Sequence, residues 1–484
     1  VENRYNSLTL TFKGDYGIDF RAYDDGAAYR FRTSMKDEIT VTDELVDIRF
    51  PEDFTTLVPY ARDGKKEPGL ARYYFNSFES TYSTQPVSKV ADNRLAFLPI
   101  LADAGTAKIV ITEADLEDYP GMYLYNPTSG KALRGNFAPY PAKEVQGGHN
   151  ELQLLVTERE DFIARTSGTR TFPWRVFAIA GRDIQLADND MVYRLAAPSR
   201  VEDVSWIKPG KVAWDWWNTW NLYGVDFKSG INNETYKYYI DFAARYGIPY
   251  IIMDEGWSAS TTDVFHPNPD LDLQELIAYG RERNVQIVLW LTWLAVEKDM
   301  DRLFATLEEW VIPGVKIDFM DRSDQWMVGY YERVMKCAAR HRLFVDMHGS
   351  YTPKGLYRTY PNLLTYEGVL GMEQGARCKP ENSNWLPFIR NAVGPMDFTP
   401  GTFDILYENT RNSPRRKLWN CGPEVDMRVN TTLAKQIAEW VIIYSPVQMA
   451  SDLIENYEGH PAFRFFRDFD ADCDWSRALA GEPG

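Results

Sequence analysis

The sequence predicts an N-terminal antiparallel β-sandwich over residues 1–203, followed by a (β/α)₈ barrel over residues 204–460. Three observations lead to this fold class. The 484 residues are enough for two or three domains. The first part is rich in short β-type segments without amphipathic helical stretches between them. In the second part, short apolar segments alternate with amphipathic stretches, as in a parallel α/β fold.

The sandwich prediction rests on segments in which β-branched and aromatic residues alternate or cluster between Gly, Asp and Asn turns. The clearest are SLTLTFKG, GAAYRFRTS, LAFLPIL, AKIVITEA, ELQLLVTE and RVFAIAG. The stretch APSRVEDVSWIKPGK, with two prolines and mixed polar residues, is typical of a domain boundary.

The barrel prediction rests on a series of short apolar strand candidates. Six are KVAWDWW from 211, PYIIMDEGW from 249, VQIVLWLTW from 285, GVKIDFM from 314, LFVDMHG from 343 and LLTYEGV from 363. Two more units, around NAVGPMDFTPG and IIYSPVQMASD, complete eight, and polar residues gather at the strand C-termini, where barrel enzymes have their active sites. We expect residues 461–484 to begin a C-terminal β domain that is truncated in this sequence.

Composition limits the function classes. The 53 Lys and Arg against 69 Asp and Glu give a net charge of −16, which argues against nucleic acid and anionic membranes as partners. The charge fits a neutral substrate and leaves carboxylates free for a hard cation such as calcium. The aromatic content of 14% indicates either large β-rich cores or a surface that stacks on sugar rings.

Cysteines and targeting signals give little information. Cys337, Cys378, Cys421 and Cys473 contain no C-x-x-C pair, so neither a disulfide framework nor a zinc site is expected. No apolar run is long enough for a transmembrane helix. The first residues, VENRYNSLTL, do not resemble a signal peptide.

The segment GVKIDFMDR carries the first candidate site residues. Side chains alternate along a strand, so Lys316 and Asp318 share one face, which we expect to point into the barrel near its top. A nearby ammonium stabilises an ionised carboxylate, as a nucleophile requires. The alternative is a structural ion pair that fills the barrel.

The next two strand candidates add a histidine and two glutamates. In LFVDMHG, His348 lies at the strand end, either as a structural hydrogen-bonding residue or as a contact for substrate hydroxyls. Glu367 ends the strand of LLTYEGV, and Glu373 follows six residues later in a loop. Such glutamates coordinate a metal, act as a general acid or base, or do both. The alternative is that they are ordinary solvated loop residues.

The segment MDEGW places Asp254 at another strand end, close to Trp257, and both are candidate substrate-binding residues. Core packing accounts for most of the tryptophans, and a sugar pocket would use one or two of them. No Walker loop, dinucleotide-binding G-x-G-x-x-G, H-E-x-x-H or G-x-S-x-G motif is present, which argues against nucleotide, nicotinamide, zinc-protease and serine-hydrolase chemistry.

These motifs together resemble glycoside hydrolase family 97. The resemblance runs through ITEADLEDYPGMYL, MDEGW, GVKIDFMDR, VDMHGSYTP, YEGVLGMEQ, RNAVGPMDFTPG and YSPVQMASDLIENY. It implies an N-terminal β-sandwich, a catalytic (β/α)₈ barrel and a small C-terminal β domain.

The resemblance also separates two mechanistic branches. Inverting members, α-glucosidases, have a catalytic-base Glu directly after the histidine of the fifth barrel strand, where this sequence has Gly349. Retaining members have a nucleophilic Asp at the end of the fourth strand, which matches Asp318, and an acid/base Glu, which matches Glu373. The resemblance therefore implies an exo-acting, retaining α-galactosidase with a double-displacement mechanism.

The family further implies a calcium ion, with Glu113 from the sandwich and Glu367 and Glu373 from the barrel as ligands, and an oligosaccharide or α-galactoside as substrate. Periplasmic or secreted location is expected from the family alone. Two other functions are kept as alternatives: an inverting α-glucosidase, which Gly349 disfavours, and a non-catalytic glycan-binding protein, which would lack one of the two catalytic carboxylates.

Overall fold

The N-terminal half is built almost entirely of β-strands. The computed structural model describes residues 2–65, 67–222, 224–404 and 430–483. The strands of this half are β1 (Asn6–Phe12), β2 (Tyr16–Tyr23), β3 (Gly26–Val41), β4 (Asp47–Arg49), β5 (Thr55–Pro59), β6 (Tyr82–Pro86), β7 (Ile100–Asp103), β8 (Lys108–Ala114), β9 (Met122–Tyr125), β10 (Ala132–Phe137), β11 (Pro141–Gly147), β12 (Gln153–Arg159), β13 (Ala164–Thr171) and β14 (Trp174–Ala180).

These strands form an antiparallel domain, as the sequence predicted. Nine of them make one sheet in the order β1-β2-β3-β14-β8-β7-β5-β6, with β13 also paired to β3. The shorter sheets β4-β10-β9 and β11-β12 accompany it. Val110 on β8 and Val176 on β14 are buried in one core cluster, and Ile111 on β8 is buried in another.

The second half alternates strands and helices. Its strands are β15 (Gly210–Trp214), β16 (Tyr250–Met253), β17 (Ser258–Ser260), β18 (Asp263–Pro267), β19 (Gln286–Thr292), β20 (Gly314–Asp318), β21 (Phe344–Met347), β22 (Leu363–Tyr366) and β23 (Val447–Ala450). Seven form a nearly closed parallel sheet in the order β22-β21-β20-β19-β16-β15-β23, while β17 and β18 form a separate hairpin. This arrangement is consistent with the predicted (β/α)₈ architecture.

The helices begin and end at residues whose chemistry favours those positions. Asn232, Asp272 and Asp324 each accept a backbone N–H at a helix start, and Gly247 ends one helix in the left-handed conformation. The α-helices are α1 (Ile184–Ala187), α2 (Met191–Leu195), α3 (Asn233–Tyr246), α4 (Leu273–Arg281), α5 (Trp293–Lys298), α6 (Met300–Glu309), α7 (Gln325–Arg340), α8 (Leu356–Thr359), α9 (Pro380–Trp385), α10 (Leu433–Ile442), α11 (Ile454–Tyr457) and α12 (Phe463–Asp468).

One expected barrel strand is not regular. The segment NAVGPMDFTPG begins with a 3₁₀ turn and then runs without ladder pairing, because its two prolines have no N–H to donate. Single hydrogen bonds replace the ladder: Asp397 N donates to Tyr366 O at 2.7 Å, and Met396 N donates to Tyr444 O at 3.0 Å. This segment therefore bridges the opening between β22 and β23.

Among the described residues from 461 to 483 there is one α-helix, α12, and no strand, so the C-terminal β domain stays a prediction. Cys421 lies outside the described residues, whereas Cys337, Cys378 and Cys473 carry free thiols. In the described part of the chain, none of the helices has the length and apolar character that crossing a bilayer requires.

The β domain contacts the loops at the C-terminal ends of the barrel strands. Gly121 N donates to Ser323 O at 2.8 Å, and Asp115 N donates to Lys354 O at 2.8 Å. Asn76 N donates to Asp321 O at 2.9 Å. The contacts place the β domain beside the barrel face where active sites form in this architecture.

Candidate active site

A cavity of about 460 Å³ lies between the β domain and the C-terminal ends of the barrel strands. Its volume is in the range of small-molecule sites. The β domain contributes Phe75, Ser77, Glu79, Gly148, His149 and Gln153. The barrel contributes Trp216, Asp254, Glu255, Trp290, Lys316, Asp318, Phe319, Asp321, Gly349, Glu367, Glu373 and Gln374.

A buried ion pair joins two of the predicted site residues. Lys316 Nζ lies 2.9 Å from Asp254 Oδ2, and Trp214 Nε1 donates to the same oxygen at 2.7 Å. Burial lowers the pKa of Lys316, but the carboxylates of Asp254, Glu373 and Asp318 raise it further than burial lowers it. The ammonium therefore stays charged and lies within the electrostatic reach of both proposed catalytic carboxylates.

Asp318 ends β20 at the cavity wall. Its Oδ2 accepts a hydrogen bond from Trp290 Nε1 at 3.1 Å, and its Oδ1 accepts one from Phe319 N at 2.6 Å. Two donors hold the carboxylate in one orientation. This is the geometry that a carboxylate nucleophile needs.

Gly349 leaves no room for a side chain. Its φ is +52°, and an added Cβ would lie 2.8 Å from Phe319 N and 2.9 Å from Asp321 Oδ1. The loop after β20 therefore fills the space beside Gly349, so a carboxylate at position 349 could not be accommodated without moving that loop.

Three glutamates converge on one side of the cavity. Glu367 Oε2 accepts from Gly349 N at 2.7 Å. Burial, Glu79 and Glu373 raise the pKa of Glu367 well above its usual range, and burial and Glu373 raise that of Glu79 to about 7. The three carboxyl groups form an oxygen-rich donor set, which fits a calcium ion.

Glu113 does not belong to this group. It lies on β8, where Arg175 Nη1 is 2.6 Å from its Oε2 and Lys354 Nζ is 3.9 Å from its Oε1. Two cations already neutralise this carboxylate, and it is not among the cavity-lining residues. Glu113 as a calcium ligand stays a prediction of the resemblance, and Glu79 is the β-domain carboxylate that lines the cavity beside Glu367 and Glu373.

His348 lies beneath the cavity wall. Its Nε2 is 2.7 Å from Asp397 Oδ2, and its Nδ1 is 3.6 Å from Glu367 Oε1. Burial and Lys316 lower the pKa of His348, but Asp346 and Asp397 raise it overall to about 9. Both ring nitrogens therefore face carboxylates, and His348 is not among the residues that line the cavity.

Trp257 also differs from its predicted position. Its side chain is fully buried in the core, and its Nε1 donates to Trp290 O at 2.7 Å. The strand β16 ends at Met253, and in the turn that follows it Asp254 and Glu255 reach the cavity while Trp257 packs behind it. Among the described tryptophans, Trp216 and Trp290 line the wall.

The β domain supplies site residues that the sequence did not reveal. Glu79 lies in a loop without a recognisable motif, and Gln153 and His149 lie at the tip of the β11–β12 hairpin. Asp321 belongs to the same segment GVKIDFMDR as Asp318, so its position in the sequence could have indicated that it lies at the site. The others become neighbours of the barrel only through domain packing.

Comparison with known proteins gives a consistent result. The family model for glycoside hydrolase 97 matches residues 216–369, and the model for the N-terminal region of glycosyl hydrolase 97 matches residues 1–198. The retaining α-galactosidase of Bacteroides thetaiotaomicron is 44% identical over 492 residues, covering 100% of this chain and 73% of that protein.

Two further comparisons extend this result. A probable retaining α-galactosidase of Streptomyces bingchenggensis is 30% identical over 493 residues, covering 99% of this chain and 68% of that protein. The structure of a variant of a glycoside hydrolase family 97 enzyme from Pseudoalteromonas sp. strain K8 superposes with a TM-score of 0.82 at 28% identity, covering 100% of this chain and 74% of that one.

Proposed function

This chain belongs to glycoside hydrolase family 97, and on that premise we propose that it is an exo-acting, retaining α-galactosidase. Asp318 is the nucleophile and Glu373 is the general acid/base. The choice of galactose rests on the 44% identity to a retaining α-galactosidase over the full chain. The retaining mechanism rests in addition on the site itself.

The single observation that carries the mechanism is the contrast between Asp318 and Gly349. Asp318 lines the cavity and is oriented by two donors, whereas position 349 has no side chain and no space for one. An inverting enzyme needs a base that activates water, and a retaining enzyme needs a nucleophile. The cavity offers a carboxylate for the second role.

The reaction then proceeds by double displacement. Glu373 protonates the glycosidic oxygen while an Asp318 oxygen attacks the anomeric carbon, so the C–O bond to the leaving group breaks as the glycosyl–enzyme ester forms. Glu373, now ionised, takes a proton from water, which attacks the same carbon and releases Asp318. Two inversions return the α-configuration.

Lys316 and Asp254 have a supporting role in this proposal. Their ion pair lies on the cavity wall beside Asp318, where both side chains can bind sugar hydroxyls. His348 acts through its neighbours, since it lies between Asp397 and Glu367 and orients the latter.

Calcium is part of the proposal. Glu79, Glu367 and Glu373 would hold it, and the bound ion would supply positive charge beside the reacting sugar. The β domain contributes Glu79, which gives it a direct function in the site. Periplasmic or secreted location remains an expectation from the family.

The first-formed anomer tests the mechanism. Hydrolysis of nitrophenyl α-galactoside should release α-galactose as the first product. NMR spectra recorded before mutarotation identify this anomer. Asp318→Gly should abolish most activity. Added azide should restore cleavage by taking the place of the missing carboxylate, and the product should be β-galactosyl azide. An initial β-sugar would exclude the retaining mechanism, and preference for nitrophenyl α-glucoside would favour the α-glucosidase alternative. A lack of hydrolysis of both substrates would favour the glycan-binding alternative.

A further inference from the structure

The side chains that line the cavity differ in their exposure. Lys316 and Asp254 are 2% and 3% exposed, whereas Trp216 is 41% exposed and His149 is exposed as well. The buried side chains mark the inner end of the cavity, and the exposed ones mark its opening. An exo-acting glycosidase holds the terminal sugar at the inner end, so the leaving group extends toward the opening.

Trp216 is held in place although much of its surface is open. It lies two residues beyond the end of β15, and its ring meets that of Trp220 edge-on, with centroids 5.2 Å apart and planes at 83°. Thr219 N donates to Trp216 O at 2.9 Å. Thr219 and Trp220 have φ values of +58° and +52°, which non-glycine residues adopt at a cost and which concentrate at functional sites. The indole is therefore preorganised at the opening.

Glu255 emerges at the same edge of the barrel as Trp216. The strands β15 and β16 are parallel neighbours in which Trp214 pairs with Ile252, so the residues that follow the two strands reach one edge of the sheet. Both Trp216 and Glu255 line the cavity there. Glu255 is only partly buried, so its carboxyl group is open to a ligand at this edge.

His149 reaches the opening from the β domain. It lies at the tip of the β11–β12 hairpin, and its ring lies beside that of Phe319, the residue after Asp318, with centroids 5.8 Å apart. Burial and Asp254 raise the pKa of Glu255, and His149 lowers it. The imidazole is therefore within electrostatic reach of Glu255, and the two polar side chains continue the opening beyond Trp216.

We propose that Trp216, Glu255 and His149 bind a second sugar unit as the leaving group, so that the preferred substrates are α-galactosides whose leaving group is a sugar ring. One face of a pyranose ring carries C–H bonds, which pack on a flat indole. Hydroxyl groups at the ring edge both donate and accept, which suits a carboxyl group and an imidazole. The inference rests on the proposed glycosidase function and adds its leaving-group specificity.

Position distinguishes Trp216 from an ordinary exposed tryptophan. Trp475 is 75% exposed and is not among the cavity-lining residues. Single exposed apolar side chains of that kind are common on protein surfaces. Trp216 instead lies in a concave site with polar side chains from both domains, as is typical of sites that bind small molecules.

Two substrates that share the galactosyl unit but differ in the leaving group test the inference. α-Galactosyl fluoride releases a single atom, which is too small to reach the opening, whereas an α-linked galactosyl–glucose disaccharide releases a sugar. Trp216→Ala should lower the ratio of kcat/KM for the disaccharide to kcat/KM for the fluoride by about 10- to 100-fold, because the stacking surface is lost. Turnover of the fluoride by the same variant shows that it is folded.

Control variants separate this contact from other effects. Trp475→Ala is the matched control and should leave the ratio at the parent value. Trp216→Phe keeps a flat ring and should hold the ratio within about threefold of the parent value. His149→Ala should lower the ratio by about 3- to 10-fold, because one polar contact is lost. An unchanged ratio in Trp216→Ala would overturn the proposal, whether both activities are kept or both fall equally.

The parent protein tests the proposed function separately. If it hydrolyses α-glucosyl fluoride and not α-galactosyl fluoride, the proposed sugar specificity fails. The ratio is then measured with α-glucosyl fluoride and an α-linked glucose disaccharide, so the inference on Trp216 is still judged by the same variants. Hydrolysis of neither fluoride would overturn both the function and the inference.

Discussion

At the scale of single residues, Gly349 decides which carboxylate can act. The backbone at φ +52° and the proximity of Phe319 N both oppose a side chain there. The absence of a side chain was visible in the sequence. The reason that a side chain is not tolerated there was not visible in the sequence, because Phe319 and Asp321 reach this position from the loop after β20.

We expect Gly349→Ala to lower kcat/KM by at least about 10-fold, because the loop that follows Asp318 must move to admit the methyl group. Gly69→Ala is a matched control, since Gly69 has φ +59° and nothing within 4 Å of an added Cβ. Both variants carry the strain of a left-handed alanine, of about 1–2 kcal/mol. Similar activity of the two variants would show that the contact with the loop is unimportant.

The Lys316–Asp254 pair gives a second prediction at this scale. Removing the ammonium in Lys316→Met leaves a buried carboxylate without its cation, which we expect to destabilise the protein by about 3–5 kcal/mol. Lys316→Met combined with Asp254→Asn should recover part of that stability but not the activity. Denaturant unfolding and kcat/KM on nitrophenyl α-galactoside measure the two effects. Equal stability of the single and the double variant would contradict the prediction that the loss comes from the unpaired buried carboxylate of Asp254.

At the scale of elements, the periodic pattern predicted most of the barrel. The strands β15, β16, β19, β20, β21, β22 and β23 lie where apolar segments were recognised. The segment NAVGPMDFTPG was also apolar, but its prolines remove ladder donors and only isolated hydrogen bonds remain. The alternation of side chains along β20 predicted that Lys316 and Asp318 lie on the cavity side, and both line the cavity. Trp257 lies beyond the end of its strand, where side chains no longer alternate in this way.

Helix α10 carries a buried acid that makes stability pH-dependent. Burial raises the pKa of Glu439 to about 7, although Lys435, Ser383 and Gln436 lower it. The folded protein therefore binds more protons than the unfolded chain between about pH 4.5 and pH 7, and stability falls as the pH rises through this window.

Glu439→Gln should remove this dependence. We expect the variant to equal the parent protein near pH 5 and to exceed it by about 2–3 kcal/mol near pH 8, in denaturant unfolding at each pH. Glu381→Gln, an exposed change on α9, is the control for a lost acidic residue. A variant whose advantage is the same at both pH values would contradict the assignment of the raised pKa to Glu439.

At the scale of the whole molecule, the site is shared between two domains. Composition and periodicity predicted both domains, but not which β-domain loop reaches the barrel. Glu79 and Glu373 are far apart in sequence and meet only because backbone contacts such as Gly121 N to Ser323 O dock the domains. Family resemblance implies Glu113 for that role, and in the structure Glu113 lies in an ion pair with Arg175.

Substitutions of the two β-domain glutamates, Glu79 and Glu113, should therefore have opposite effects on the response of the protein to calcium. If calcium bridges Glu79 with Glu367 and Glu373, it stabilises the docked domains by mass action, and saturating calcium should raise the unfolding temperature. Glu79→Gln should lose most of that rise and weaken calcium binding at least about tenfold.

Glu113→Gln should keep the rise, yet lower the baseline stability by about 3–5 kcal/mol, because it leaves Arg175 with one buried partner fewer. Thermal unfolding of both variants with and without calcium, together with metal analysis, separates the two ligand sets. Loss of the calcium response in Glu113→Gln but not in Glu79→Gln would restore the ligand set implied by the family.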